Sequence, residues 1–435
     1  MICRQLWLAR VTGVLILALP ALPITSGTAQ AAAAAAAASS AASSAASAAA
    51  GGIASTKPRI DLSLPADATD FTQEFSHKLN GVYDDYLAFK NQIQNDYNIQ
   101  FAMPVSVYGQ WATPRGGPGV AELVYSPQIG WKPFSDTAIG SGAVDFLLQS
   151  TQFWTHATTG RQLQSMGLIT QTNAWGASEY QIAQLTYTHT LPGDWLSIAA
   201  GQYSFGQYDD NQYTGDAQTY FINYSLAQSG TQTYTNAGTG VYVQITPNSW
   251  LQFAGGVQGA TDISGAAVTT NGFHNNKIAH FVSAQWTPEF LAGGTYNIIY
   301  YSQPAVPQQP TASHGFSFSA SQDIDDTFGL FLRANTVSGI TIPIRTSVAV
   351  GGVINNPFGR LRLDQLGFGI AWDKANKTVV GSPSRDSEWI AELYYNYWLF
   401  KGLFVTPDLQ VYYNPVLSPK TSAAGAFTLR TTFEF

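Results

Sequence analysis

The chain has 435 residues, of which only 11% are charged and 13% aromatic, and carries a net charge of −7. The charged share is under half of the usual value near 25%, yet the mean hydropathy is −0.03, which excludes a helical membrane protein. The negative balance argues against nucleic acid as a partner, and the single cysteine, Cys3, rules out disulfides and thiolate metal sites in the rest of the chain.

Residues 1–31 are expected to be a cleaved signal peptide. Arg4 and Arg10 flank the start of VTGVLILALPALPI, and TAQA ending at Ala31 supplies an Ala-x-Ala site. No later stretch reaches about 18 apolar residues, so no membrane-spanning helix is expected. Residues 32–68 begin as Ala/Ser/Gly low complexity and predict a flexible linker. Residues 69–98 predict an amphipathic helix: Thr69 or Asp70 caps it, Glu74 lies in its first turn, and Phe75, Leu79, Val82, Tyr86, Phe89 and Ile93 recur at helical spacing. The favoured role is a periplasmic helix lying against a barrel mouth; the alternative is a helix that assembles subunits or plugs the pore.

From Ile99 to Phe435 the period changes to two, with turn residues between segments. Clear strands are 99–111, 143–154, 364–372, 387–399 and 402–413. Within 387–399, Trp389, Ala391, Leu393, Tyr395, Tyr397 and Leu399 share one face, and Glu388, Glu392, Tyr394, Asn396 and Trp398 share the other. The final segment AFTLRTTFEF alternates in the same way and stops on Phe435. Few charges, many aromatics and alternation that cancels in the average fit a transmembrane β-barrel. Pro104, Pro127 and Pro407 fall inside candidate strands and predict bulges or strand ends.

Connections alternate between short and long, as barrels with short periplasmic turns and long outer loops require. Counted from both chain ends, the two series meet between Gly201 and Gly240. Treating residues 202–239 as one long outer loop after strand 5 gives an even count. The expected fold is therefore all-β: a 16-stranded antiparallel outer-membrane β-barrel over residues 99–435, with both termini periplasmic and an aqueous interior.

The C-terminal part resembles the carbohydrate-selective porins of the OprB type. AELYYNYWLFKGLFVTPDLQVYYNP carries the family's Glu-x-Tyr strand at Glu392 and Tyr394, its Pro-Asp-x-Gln at Pro407, Asp408 and Gln410, and its Asn-Pro at Asn414 and Pro415. NPFGRLRLDQLGFGIAW (356–372) and WLSIAAGQY (195–203) resemble two further family segments, although Gln202 stands where the family has a basic residue. The resemblance covers roughly the last 250 residues and implies passage of small sugars.

Sugars offer apolar ring faces to aromatic side chains and hydroxyls to polar ones. The long loop interleaves Tyr203, Phe205, Tyr208 and Tyr213 with Asp209 and Asp210, and folded inward it would narrow the channel; an exposed Tyr-rich loop is the plainer alternative. Strand parity points Arg333, Arg345, Glu392, Asp408, Gln410 and Arg430 into the lumen, where they are expected to meet solute. The six histidines lack His-x-x-x-His or His-Glu-x-x-His spacing, and no Gly-x-Ser-x-Gly elbow occurs, so neither catalysis nor a cofactor is expected. The expected partners are small sugars and outer-membrane lipids, with a homotrimer by analogy of architecture. A general or acidic-solute diffusion porin is the main alternative; a barrel hydrolase and a structural barrel are weaker ones.

Overall fold

The computed structural model describes residues 74–113, 119–209, 211–262, 264–339 and 342–435. The expected signal peptide, the linker and the first residues of the 69–98 helix lie outside them. Helix α1 spans Glu74–Tyr97. Strand β1 consists of Ile99–Ala102 and Val105–Thr113, and β2 of Val120–Tyr125 and Gln128–Thr137. There follow β3 (Gly140–Phe153), β4 (Glu179–Thr190), β5 (Leu196–Tyr203), β6 (Gly238–Asn248), β7 (Leu251–Gly259), β8 (Ile278–Trp286) and β9 (Gly294–Gln303). The ring continues through β10 (Ser313–Asp323), β11 (Phe328–Ser338), β12 (Ile344–Asn355), β13 (Gln365–Ala375), β14 (Ser387–Phe400), β15 (Leu403–Tyr413) and β16 (Ala423–Phe433).

Eighteen ladder segments make a closed barrel of 16 strands, because two strands are each interrupted once. Pro104 splits β1 and Pro127 splits β2, since proline cannot donate to a ladder. The two halves stay in line: Ile99 faces Trp131, and Val105 faces Tyr125. Closure is made by β16 against β1, with Gly425 opposite Thr113 and Phe433 opposite Val105. Pro407 remains inside β15 opposite Leu429, while the ladder to β14 skips from Asp408 to Val405. The strand count and the long connection after β5 agree with the loop-parity argument. Residues 217–227 form no strand; Tyr224–Ala227 is a short helical turn.

Alternation assigns the two faces of the wall. On β16, Phe427, Leu429 and Phe433 are exposed, whereas Thr428, Arg430 and Thr432 are fully buried. On β14, Trp389, Leu393, Tyr397 and Leu399 are exposed while Glu388, Glu392, Tyr394 and Asn396 are buried. The outward apolar band is flanked by aromatics at both rims: Trp195, Trp250, Trp286 and Phe433 at one, Trp111, Trp154, Tyr180 and Tyr413 at the other. That profile suits a wall that meets lipid. We call the rim that holds Ile99 and Phe433 the near rim. It carries the short turns, such as 138–139 and 401–402, and the far rim carries the long loops, such as 154–178 and 204–237.

Helix α1 lies along the near rim where the ring closes. Lys401 N donates to Asn80 Oδ1 at 2.9 Å, Lys401 Nζ pairs with Asp84 at 2.8 Å, and the Tyr83 hydroxyl donates to the Glu434 carbonyl at 2.9 Å. Lys90 Nζ sits 5.4 Å from the rings of both Tyr86 and Phe101. The helix thus touches the β14–β15 turn, the end of β16 and the start of β1. Of the expected stripe, Leu79, Tyr86 and Ile93 are half-buried and Phe89 meets Phe101 at 6.5 Å, whereas Val82 is exposed, because the rim also bonds through Asn80, Tyr83 and Asp84.

Two predictions follow from this wall and this rim. Leu393→Arg should destabilise the barrel by about 2–4 kcal/mol, whereas Gln244→Arg, on the inward face of β6, should assemble normally. Heat-modifiable migration of the two proteins measures this, and equal damage would mean the faces are assigned wrongly. Burial first, and Asp216 second, push the Glu434 carboxyl from 4.5 up to about 8, against the pull of Lys90. An acid with a raised pKa keeps its proton in the folded state, so the packed rim is most stable below pH 4.5 and loosens as pH rises toward about 8. Amide exchange of residues 79–97, corrected for intrinsic rates, should be faster at pH 9 than at pH 5; equal protection would refute the assignment.

Candidate functional site: a lumen filled by two loops

Sixteen strands enclose a lumen wide enough for an aqueous channel, and here two far-rim loops enter it. Every residue from 166 to 176 in the β3–β4 loop and from 221 to 237 in the β5–β6 loop is buried. The wall makes room for them. The inward row of β10 is Ser313, Gly315, Ser317, Ser319 and Ser321, and that of β13 includes Gly367, Gly369 and Ala371. A Cβ on Gly369 would stand 2.8 Å from Leu226 Cδ2 and 3.1 Å from Phe221 Cε1 of the loop. Entry of the β3–β4 loop, with its helix α2 (Thr159–Met166), was missed by the sequence reasoning. The small inward row does not mark it, since the contacts at Gly369 are to Leu226 and Phe221 of the β5–β6 loop.

The β5–β6 loop descends along β8 to β11. Its aromatics pack on wall aromatics: Tyr208 stacks on Phe281 at 4.7 Å, Phe205 lies 4.7 Å from Phe281, and Tyr203 lies 4.8 Å from Tyr242. The Tyr213 hydroxyl donates to Asp323 near the bottom of β10. The loop then crosses to the closing seam. There Arg430 donates to the carbonyls of Ala217 (2.6 Å), Tyr220 (2.8 Å) and Thr219 (2.9 Å). On the return, Glu392 accepts the backbone N–H groups of Ile222 (2.7 Å) and Asn223 (3.1 Å). Arg333 holds the Asp209 carbonyl at 3.2 Å and the Thr214 hydroxyl at 2.6 Å.

The β3–β4 loop is held in the same manner. Glu388 accepts Thr170 N at 2.7 Å and Ile169 N at 3.1 Å, Asp373 accepts the Thr170 hydroxyl, and Glu122 accepts Asn173 Nδ2. Gln410 joins the two loops: its Nε2 donates to the Thr172 carbonyl at 2.9 Å and its Oε1 accepts Asn223 Nδ2 at 3.2 Å. Asp408 lies beneath it, accepting Gln410 Nε2 at 3.2 Å. Charge-assisted bonds of this kind are the strong ones, and they compensate the burial of charges that would otherwise be costly.

The structure therefore brings Arg333, Glu392, Asp408, Gln410 and Arg430 together on the lumen wall, with the loop rather than open water as their neighbour. Tyr203, Phe205, Tyr208, Asp209 and Tyr213 are likewise packed inside the fold. Arg345 is not part of this set: a register shift between Ile344 and Thr346 interrupts the alternation and leaves it exposed. Asp210 lies outside the described residues. The accessible part of the loop is its lowest turn, where Gln212 is exposed and Asp216, Thr219 and Tyr220 are half-buried.

Water reaches the opposite side of the lumen. Toward the near rim, the inward faces of β4 to β8 carry Thr190, Ser197, Gln244, Thr246, Gln252 and Ser283, all partly accessible. This vestibule is lined by hydroxyl and amide groups, and its ceiling is the edge-to-face pair Tyr208 and Tyr242, 5.7 Å apart.

A closed, lipid-facing barrel whose aqueous lumen is narrowed by inward loops is an outer-membrane porin. The carbohydrate-selective porin, OprB family, matches residues 147–435, and the chain belongs to that family. It is 31% identical over 350 residues to Porin AaxA of Chlamydia pneumoniae, covering 78% of this chain and 80% of that one. It is 29% identical over 353 residues to Porin AaxA of Chlamydia felis, covering 79% of each. Its fold is similar to the high-pH structure of OprB from Pseudomonas putida, with a TM-score of 0.65, 15% identity, and coverage of 81% of this chain and 97% of that one.

Truncating the loop anchor tests this architecture. Arg430 is fully buried, so Arg430→Ala removes no solute contact but frees three loop carbonyls, each bond to a charged donor being worth about 1.5–3 kcal/mol. Single-channel recording should show higher and noisier conductance from a barrel that still migrates as folded. Unchanged conductance would mean that the loop does not set the channel width.

Proposed function

We propose that the protein lets small carbohydrates diffuse passively across the outer membrane, down their gradient, without chemistry or energy coupling. The near rim faces the periplasm, so both chain ends and α1 lie there, and the β5–β6 loop forms the constriction. The observation that carries this reading is the vestibule. Its accessible lining of Thr190, Ser197, Gln244, Thr246, Gln252 and Ser283 offers neutral donors and acceptors that match sugar hydroxyls and attract neither sign of ion strongly. The family's description as carbohydrate-selective supports the same solute class. A channel for acidic solutes finds less support, because Glu388, Glu392, Asp373 and Asp408 line the buried wall while the two central arginines are engaged by the loop.

Planar-bilayer recording with the full-length protein provides the test. Ion current should fall partially and saturably as mono- or disaccharide is added, since solute and ions share one path, and organic anions at equal concentration should block less. Current indifferent to every sugar, with flux ordered only by solute size, would make general diffusion the correct account.

A further inference from the structure

We propose that the outward face of β8 to β13 at the far rim binds a phosphorylated glycolipid of the outer leaflet, with Arg345 and Lys374 on one phosphate and His314 on the other. The proposal takes from the reading above only the orientation that puts the far rim outside the cell. It concerns the outer wall of the barrel and not its lumen.

Ladder register builds a continuous polar row there. His280 of β8 lies opposite Ser302 of β9, Ser302 opposite His314 of β10, and His314 opposite Ser338 of β11. Thr336 of β11 lies opposite Thr346 of β12, and Thr346 opposite Lys374 of β13. All share the parity of the exposed apolar residues on their strands, Val282, Tyr300, Phe316, Leu332, Val348 and Ile370, so they face outward. Arg345 is exposed at the register shift between Ile344 and Thr346. The Thr336 hydroxyl donates to the Arg345 carbonyl at 3.2 Å, which ties that irregularity to the row.

The row is cationic and lacks its own counter-charge. His280, His314, Arg345 and Lys374 are all exposed. Among the described residues neither Arg345 nor Lys374 forms an ion pair. Asp373, beside Lys374, turns inward and accepts the hydroxyls of Thr170 and Ser225. Asp386, in the loop above, pairs with Lys377 at 2.8 Å. Connections 304–312 and 339–343 contain no charged residue. The Tyr300 hydroxyl meets His314 Nδ1 at 3.3 Å with the two rings parallel, which leaves Nε2 to an outside partner. Elsewhere this rim is aromatic: Trp111, Trp154, Tyr180 and Tyr413 belong to the arc from β15 round to β4. Aromatic rings seat at the interface without choosing a headgroup, whereas clustered cations choose an anionic one.

From His314 on β10 to Lys374 on β13 the row spans three strand spacings, roughly 14 Å. A disaccharide phosphorylated at both ends bridges that span. One phosphate meets Lys374 and Arg345, the other meets His314, and the sugar hydroxyls meet Ser302 and Ser338. Its acyl chains run down over Phe316, Leu332, Val348 and Val350, the exposed apolar band directly below. A lipid with a single phosphate engages only one end of the row.

Native mass spectrometry of the detergent-purified full-length protein, titrated with diphosphoryl lipid A, provides the test. Arg345→Ser combined with Lys374→Ser should weaken binding about fivefold for each cation removed. Monophosphoryl lipid A should bind the wild type more weakly than the diphosphoryl form. Lys420→Ser, which removes an exposed far-rim cation outside the row, should change nothing. Heat-modifiable migration checks folding, and Lys374→Ser alone carries the test if the double variant disturbs the barrel. The proposal is overturned by a wild type that retains no lipid, by equal affinity for the two lipids, or by variants that bind as the wild type does. An equal loss in Lys420→Ser, or displacement of the lipid by equimolar inorganic phosphate, overturns it as well. Sugar block of the ion current is a separate measurement, so its absence would overturn the carbohydrate reading and leave this site standing.

Discussion

A closed ladder in lipid leaves no backbone group unpaired and no strand edge free. Every other feature of this protein follows from that constraint. Closure between β16 and β1 fixes the parity of each strand, and parity sends alternate side chains to lipid and to lumen. Outward positions then have to be apolar along the whole ring, as the bands on β14 and β16 are. Inward positions are free to be polar only if water, solute or another part of the chain satisfies them.

Much of that satisfaction comes from the chain itself. The inserted loops bring unpaired backbone N–H and C=O groups into a lumen that would be expensive for them without partners. Wall carboxylates meet the N–H groups and wall guanidinium groups meet the carbonyls: Glu388 and Glu392 on one strand accept, Arg333 and Arg430 donate. Charges placed in this way define where a loop lies, because each bond is directional and the low local dielectric strengthens it. Shape contributes equally. The serine and glycine row of β10 and the glycines of β13 give the loop space, and the aromatic layer of Tyr203, Phe205, Tyr208, Phe281 and Tyr301 fills what remains.

The consequence for transport is asymmetry across the lumen. The charged anchors of the loops lie mainly on β11 and from β13 round to β2, and loop aromatics also pack on β6 and β8. Toward the near rim, β4 to β8 keep accessible hydroxyl and amide groups. The conspicuous charges of the C-terminal family segment hold the inserted loops, and the accessible inward groups lie elsewhere on the wall.

Strand alternation, turn residues and connection lengths by themselves determined the barrel, its sixteen strands, the faces of β14 and β16, and the long connection after β5. These are local or periodic properties, and a period of two survives any tertiary context that keeps the ladder closed. Parity also placed Arg333, Glu392, Asp408, Gln410 and Arg430 on the inner wall. It failed at Arg345, where one register shift near Thr346 displaced the count. Tertiary structure alone decided what those inner residues touch. No sequence spacing connects Arg430 to the carbonyl of Ala217, or Glu388 to the amide of Thr170, since each pair is over 200 positions apart. Insertion of the β3–β4 loop and the packing of α1 through Asn80 and Tyr83 are likewise products of distant segments meeting. Periodicity assigns a side chain its face, but the loop that arrives opposite that face assigns its partner.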